Sequence, residues 1–178
     1  MMNSFELRKI LAISGSTRQN SINKLILQSL KENYAGVLHV DLYDSINELP
    51  HFNPDDLDAL PAAVQAFYDA IASADGVIIC SPEYVFSMPG VLKNAIEWTV
   101  STILFSDKPL AIIVASSLGE KAFESLDVVM TTLGASMTPD TKLLISGSNS
   151  KIDKQSNSLN TEIIADLNHL MNALIGLI

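Results

Sequence analysis

The chain carries a single cysteine, Cys80, in 178 residues. One cysteine closes no intrachain disulfide and builds no cysteine-rich zinc site, which fits a reducing, cytoplasmic setting. Cys80 ends the apolar run Gly76-Val77-Ile78-Ile79 and is expected as a small core residue, free cysteine being among the most buried residue types. Positive charge is scarce as well: 11 Lys and Arg stand against 20 Asp and Glu, a formal net charge of −9. No basic field is available to gather DNA or RNA phosphates, so nucleic acid is not expected as a partner. Long apolar runs are missing too. None approaches the ~18 residues of a membrane span, so no membrane partner is expected, and Glu6, Arg8 and Lys9 interrupt the N-terminal segment before a signal core can form. The 3 histidines, His39, His51 and His169, have no metal-ligand spacing. No metal site is expected.

What is present is apolar and regularly spaced. Residues 1–178 are long enough, at 48% hydrophobic, for one well-buried core and are read as a single domain. Lys9 to Ser14, Gly76 to Ser81 and Pro109 to Ser116 are continuous apolar runs ending in small hydroxyl residues, as central strands of a parallel sheet covered on both faces should be. Val37 to Tyr43 and Lys142 to Ser146 alternate more and suit edge strands. Helical spacing marks Ser21 to Asn33, Asp55 to Ser73, Pro89 to Thr99, Glu120 to Leu133 and Leu159 to Ile175. Pro54-Asp55-Asp56 reads as a helix start, Pro89 as a first helical residue and Gly134 as a stop. The Ser/Asn-rich stretch Ser146 to Ser158 reads as a surface loop. Strands alternating with helices imply right-handed βαβ units, hence an α/β three-layer sandwich around a five-stranded parallel sheet.

In such sheets ligands bind beyond the carboxyl ends of the strands, where strand order reverses. Three loops qualify. In the first, Gly15-Ser16-Thr17-Arg18-Gln19-Asn20-Ser21-Ile22-Asn23, hydroxyls and backbone N–H groups surround a helix N-terminus and Arg18 adds a permanent cation, a suitable place for a phosphate. Taken alone, the same residues also fit a plain Ser21 cap with Arg18 as a solvated charge. No third glycine completes a dinucleotide fingerprint and no Gly-Lys-Ser/Thr a triphosphate loop, so the ligand expected is a mononucleotide. The second loop, Ser81-Pro82-Glu83-Tyr84-Val85-Phe86-Ser87-Met88-Pro89-Gly90, is restrained by Pro82 and offers main-chain groups of Glu83 and Tyr84 to a flat heteroaromatic ring. The third, Ala115-Ser116-Ser117-Leu118-Gly119-Glu120, is small and flexible and is placed to approach that ring from the other side.

Gly-Ser-Thr-Arg-x-x-Ser-x-Asn after the first strand and Ser-Pro-Glu-Tyr-x-x-Ser-x-Pro-Gly-x-Leu-Lys-Asn-Ala-Ile-Glu-Trp after the third resemble the NAD(P)H-dependent FMN reductase family, which is flavodoxin-like and includes quinone, azo-dye and chromate reductases. The resemblance implies that Ser16, Arg18, Ser21 and Asn23 bind the FMN phosphate, and that Pro82, Glu83, Tyr84 and Ser87 line the ribityl and isoalloxazine part. Ser116 and Gly119 of the third loop join them, although Ser116 to Phe123 departs from the family's glycine-rich Ser-x-Gly-x-x-Gly-Gly stretch. It implies an oxidoreductase in which FMN carries the chemistry, with no catalytic side chain required. NADPH or NADH is the electron donor, and a quinone, azo compound, metal oxyanion or free flavin is the acceptor in ping-pong order. The resemblance also implies a homodimer or homotetramer with the helix bearing Ile96 and Trp98 near the interface. A flavodoxin-type electron carrier docking with redox proteins is the other reading that an acidic chain of this kind admits.

Overall fold

The computed structural model describes residues 7–148, 152–153 and 158–178. Five strands, β1 (Arg8–Ser14), β2 (Leu38–Tyr43), β3 (Gly76–Ser81), β4 (Leu110–Ala115) and β5 (Lys142–Ile145), form one sheet in the order β2-β1-β3-β4-β5. All four pairings are parallel, with Ile10 opposite Val40, Ala12 opposite Ile78, Ile79 opposite Ile112 and Val114 opposite Leu144. This is the flavodoxin-like order, whose switch point lies between β1 and β3.

Side chains alternate across a strand, so a run that is apolar at every position must be covered on both faces. Leu11, Ile13, Val77, Ile79, Ile112 and Val114 point to the face that carries α2 (Ala62–Ala72), α3 (Gly90–Trp98) and α4 (Glu120–Thr132), where Phe67, Trp98 and Leu126 are buried. Ile10, Ala12, Ile78, Cys80, Ala111 and Ile113 point the other way, under α1 (Ile22–Asn33) and α5 (Thr161–Ile175). The apolar C-terminal stretch therefore packs on its own sheet, through Leu167, Leu170, Met171 and Leu174. Among the described residues no helix is long and apolar enough to cross a membrane.

Local chemistry shifts several element boundaries from the sequence reading. The helix expected over 55–73 is interrupted: Pro54–Asp56 form one 3₁₀ turn, and α2 begins only after Pro61, which lacks an N–H and holds an extended ψ of 142°. Pro89 precedes α3 as its cap, rather than being its first residue, for the same reason, with ψ also 142°. Ser21 lies just outside α1, its hydroxyl accepting from Lys24 N at 3.1 Å. Of the stretch read as a loop over 146–158, residues 149–151 and 154–157 lie outside the described residues, whereas Ile152–Asp153 (β6) pairs antiparallel with Ser158–Leu159 (β7). Gly134 ends α4 as expected, at φ 79°.

Candidate active site

The exit of β1 presses against the end of β3. Gly15 N donates to Cys80 O at 2.8 Å, and a Cβ at Gly15 would stand 2.6 Å from Ser81 Oγ and 3.0 Å from Leu92 Cδ2. Only glycine fits this approach. The chain then folds on its own hydroxyls: Ser16 N donates to Ser14 Oγ at 3.2 Å, and Arg18 N to Ser16 Oγ at 3.4 Å. Ser14 and Ser16 are buried, whereas Arg18 is exposed and makes no ion pair among the described residues. Asn23, buried on the first turn of α1, takes the Cys80 thiol on its Oδ1 at 3.3 Å and donates through Nδ2 to Ala115 O at 3.4 Å. It thus ties α1 to the ends of β3 and β4. Burial pushes the Cys80 thiol up, far from thiolate formation.

After β3, Glu83 turns its carboxylate to the start of α4. Its Oε2 accepts from Lys121 N at 2.9 Å and Ala122 N at 3.0 Å, filling orphan donors of that helix and facing its positive end. Tyr84 and Ser87 then close a tight hairpin turn by exchanging backbone hydrogen bonds, Tyr84 N to Ser87 O at 2.9 Å and Ser87 N to Tyr84 O at 3.1 Å. At its tip Val85 and Phe86 adopt φ of 53° and 56° and stand out in solvent, 96% and 70% exposed.

The turn after β5 braces the third loop. Ser148 N donates to Ser116 O at 3.0 Å, Gly147 N to Ser117 O at 3.1 Å, and Ser146 Oγ to Leu118 O at 2.8 Å. Gly119 adopts φ 111° at the start of α4, and a Cβ there would stand 2.8 Å from Leu144 Cδ1.

One cleft of about 250 Å³ gathers these pieces beyond the ends of β1, β3 and β4. Ser16, Arg18, Ser21, Asn23, Pro82, Glu83, Tyr84 and Ser116 line it, together with Asn20, Ile22, Ala115, Ser117 and Ser148. Ser87 and Gly119 do not line it; each shapes the loop beside it. Sequence reasoning missed Ser148, whose Ser/Asn-rich surroundings gave only a loop signal. The lining is suited to an anion even in an acidic chain, because its cation, Arg18, makes no ion pair among the described residues and its acid, Glu83, is turned onto a helix N-terminus. Hydroxyls, backbone amides and one guanidinium are the donors a phosphate monoester needs. On the helix that carries Ile96, Trp98 is buried, donating Nε1 to Pro50 O at 2.9 Å and meeting Phe52 edge-on at 5.2 Å.

The model of the NADPH-dependent FMN reductase family matches residues 8–150. The chain is 31% identical over 171 residues to the NADH:(hydroxy)cinnamate reductase subunit CrdA of Vibrio ruber, an alignment covering 93% of this chain and 84% of that one. It is 35% identical over 120 residues to a quinone reductase of Escherichia coli, covering 64% of this chain and 62% of the relative. In structure it is similar to FerB, a flavoenzyme NAD(P)H:(acceptor) oxidoreductase of Paracoccus denitrificans, with a TM-score of 0.72 at 25% identity over 96% of this chain and 95% of that one.

Proposed function

The chain belongs to the NADPH-dependent FMN reductase family, an FMN- and NAD(P)H-using group of oxidoreductases, and from that premise we propose that its cleft holds FMN and serves electron transfer from NAD(P)H to a small conjugated acceptor such as a quinone. The observation that carries this reading is the convergence of two separate motifs, Ser16 to Asn23 and Pro82 to Tyr84, on one acid-neutralised cleft. Arg18, Ser16 and Ser21 would hold the phosphate, with Asn23 fixing the helix behind them. At about 250 Å³ the cleft is below the ~300–1,000 Å³ usual for a whole ligand. It suits the phosphate and ribityl chain, with the ring lying open against the ledge of Pro82, Glu83 and Tyr84 and beside Ser116. When bound, FMN supplies hydride acceptance and electron release. The protein supplies position and exclusion. Tyr84, Val85, Phe86 and Leu118 make an exposed apolar rim beside the cleft, which favours flat organic acceptors over a metal oxyanion. Donor and acceptor would use this open side in turn, a ping-pong order.

The reading includes a homodimer or homotetramer. Val100, Ile103 and Val128 are exposed, and an apolar groove of about 420 Å³ between α3 and α4 is lined by Phe52, Ile96, Val100, Val129 and Leu133. It also includes a cytoplasmic setting, which the free, buried Cys80 suits.

The test is a titration of purified protein with FMN, followed by NADH and NADPH oxidation with a benzoquinone or an azo dye. Saturable yellow complex formation and acceptor-dependent turnover are expected. Bound FMN without turnover on any acceptor would overturn the reductase reading in favour of an electron carrier. Sedimentation at a multiple of the 19.3 kDa chain mass, reduced to that mass by Ile103→Glu, checks the oligomer.

A further inference from the structure

On the other side of the phosphate loop lies a larger cavity of about 660 Å³, between α1 and the end of β2, for which the FMN reading has no use. Its size is within the range of small-molecule sites. Leu25, Leu42 and Tyr43 give it apolar lining, and Asn20, Lys24 and Asp44 polar lining. Tyr43 is held in place by Phe67, ring centroids 5.1 Å apart and tilted by 49°. The two cavities share Asn20, Ser21 and Ile22 as a common wall, so a ligand seated in one lies next to a ligand seated in the other.

The charges are divided between them. Between Lys9 and Lys31 the sequence has only Arg18 and Lys24 as cations. Arg18 lines the smaller cleft and not the larger cavity; Lys24 lines the larger cavity and not the cleft. Asp44 directly follows the last residue of β2, with its Oδ1 3.8 Å from Lys24 Nζ and its side chain 69% exposed. In dinucleotide-binding sheets with a glycine fingerprint, which this chain lacks, an acid beyond the second strand accepts from ribose hydroxyls; Asp44 stands beyond the second strand here, on the far side of the first loop from the cleft.

We infer that the α1–β2 cavity takes the adenylate half of the nicotinamide dinucleotide, with Lys24 toward the diphosphate, Asp44 toward the ribose hydroxyls and adenine against Leu25, Leu42 and Tyr43. A 2′-phosphate on that ribose would face the Asp44 carboxylate, while Lys24 is shared with the diphosphate. The site therefore favours NADH over NADPH. The inference deepens the proposed function, since it rests on a nicotinamide dinucleotide being the electron donor, but it does not depend on where FMN is held.

ADP-ribose, which carries no nicotinamide and supports no turnover, is the probe. It is titrated calorimetrically into the full chain with and without saturating FMN, alongside its 2′-phosphorylated form. The expected result is one ADP-ribose site in both preparations, at least tenfold weaker binding of the 2′-phosphorylated probe, and a flavin spectrum that shows FMN still bound. Asp44→Ala should weaken ADP-ribose at least fivefold with FMN affinity within twofold of the parent. Asp44→Asn should narrow or reverse the preference against the 2′-phosphate, a gain that a misfolded variant could not show. Displacement of FMN by ADP-ribose, no ADP-ribose binding, or an unchanged preference in Asp44→Asn would each overturn the inference. Failure of FMN to bind while ADP-ribose binds the FMN-free chain would uphold the cavity and strike the cofactor cleft instead.

Discussion

Replacing Val85 with asparagine should make the protein more stable, although it exchanges a hydrophobic residue for a polar one. The two-residue turn at Val85 and Phe86 needs positive φ at both positions, 53° and 56°, the geometry in which hairpins normally place Asn-Gly. A non-glycine residue there costs ~1–2 kcal/mol, and β-branched side chains are the least tolerant. Val85 is 96% exposed, so its side chain returns almost no burial energy to offset that cost. Asparagine tolerates the left-handed region, and Val85→Asn should therefore recover about 1 kcal/mol. In a chain of this length that is a rise in Tm of roughly 2–4 °C. Val85→Gly removes the strain as well but adds ~0.5–1 kcal/mol of unfolded-state entropy, so its gain should be smaller. The order expected from thermal melts followed by circular dichroism is Asn above Gly, and Gly at or above the parent, with FMN affinity unchanged. A Val85→Asn protein that melts at or below the parent temperature would refute the reasoning, because it would mean that Val85 makes stabilising contacts despite its exposure. Strain retained at such a tip is commonly tied to use, and a higher acceptor KM in the stabilised variant is the expected companion.

Arg18→Ala should weaken FMN by about 1–3 kcal/mol, a 5- to 150-fold rise in Kd by flavin fluorescence quenching, through loss of a charge-assisted hydrogen bond; the melt should not move, since Arg18 is exposed and makes no ion pair among the described residues, and an unchanged Kd would remove it from the phosphate site. Gly119→Ala should destabilise by roughly 2 kcal/mol, because φ is 111° and the new Cβ would stand 2.8 Å from Leu144 Cδ1 and 3.2 Å from Val114 Cγ1; a denaturant midpoint equal to the parent's would show that Leu144 yields freely. Asp75 should contribute to acid sensitivity. Its carboxylate accepts from Lys9 N at 2.7 Å and from Arg8, which holds its pKa below the ordinary carboxylate value. A depressed folded-state pKa gives stability that is present above the unfolded value near ~4 and lost as pH falls through the folded one. Asp75→Asn should therefore be less stable than the parent at pH 7 but lose less between pH 5 and 3, and parallel stability curves for the two would contradict this.

The layers were readable because the physics behind them is local and repeated. Three runs apolar at every position can only be strands covered on both faces, and their small hydroxyl ends marked where the chain turns toward the cleft. Arg18 and Ser21 were readable for the same reason: the loop from β1 to α1 is short, so the spacing alone places them at the helix start. What was not readable depends on partners far away in sequence. Nothing in Asp55 to Ser73 distinguishes one helix from a 3₁₀ turn and a later helix except Pro61, whose effect depends on how the chain packs beyond it. Ser148 reaches the cleft only because β5 lies beside β4, and its signal was hidden in a polar stretch. The Val85–Phe86 turn was silent because neither residue is a turn former; the backbone bonds of Tyr84 and Ser87 impose the conformation against local preference.

The division between Ser21 and Asn23 bears on how such a site should be read from sequence. Ser21, two residues from Asn23, does what the plain reading of the loop allowed, capping α1 through Lys24 N, and still lines the cleft. Asn23 is spent on Cys80 and Ala115. On the proposed reading the cap and the phosphate cradle are not rivals: an N-cap serine fixes the helix whose remaining N–H groups would serve the anion, and a buried asparagine fixes that helix to the strands carrying the other two loops. On this argument Asn23→Ala should loosen FMN by leaving the cradle's parts in place but unregistered. Its effect would appear as lower thermal stability together with weaker FMN binding, whereas Arg18→Ala moves only the binding. An Asn23→Ala variant with the parent's melt and a raised Kd would instead make Asn23 a direct phosphate ligand.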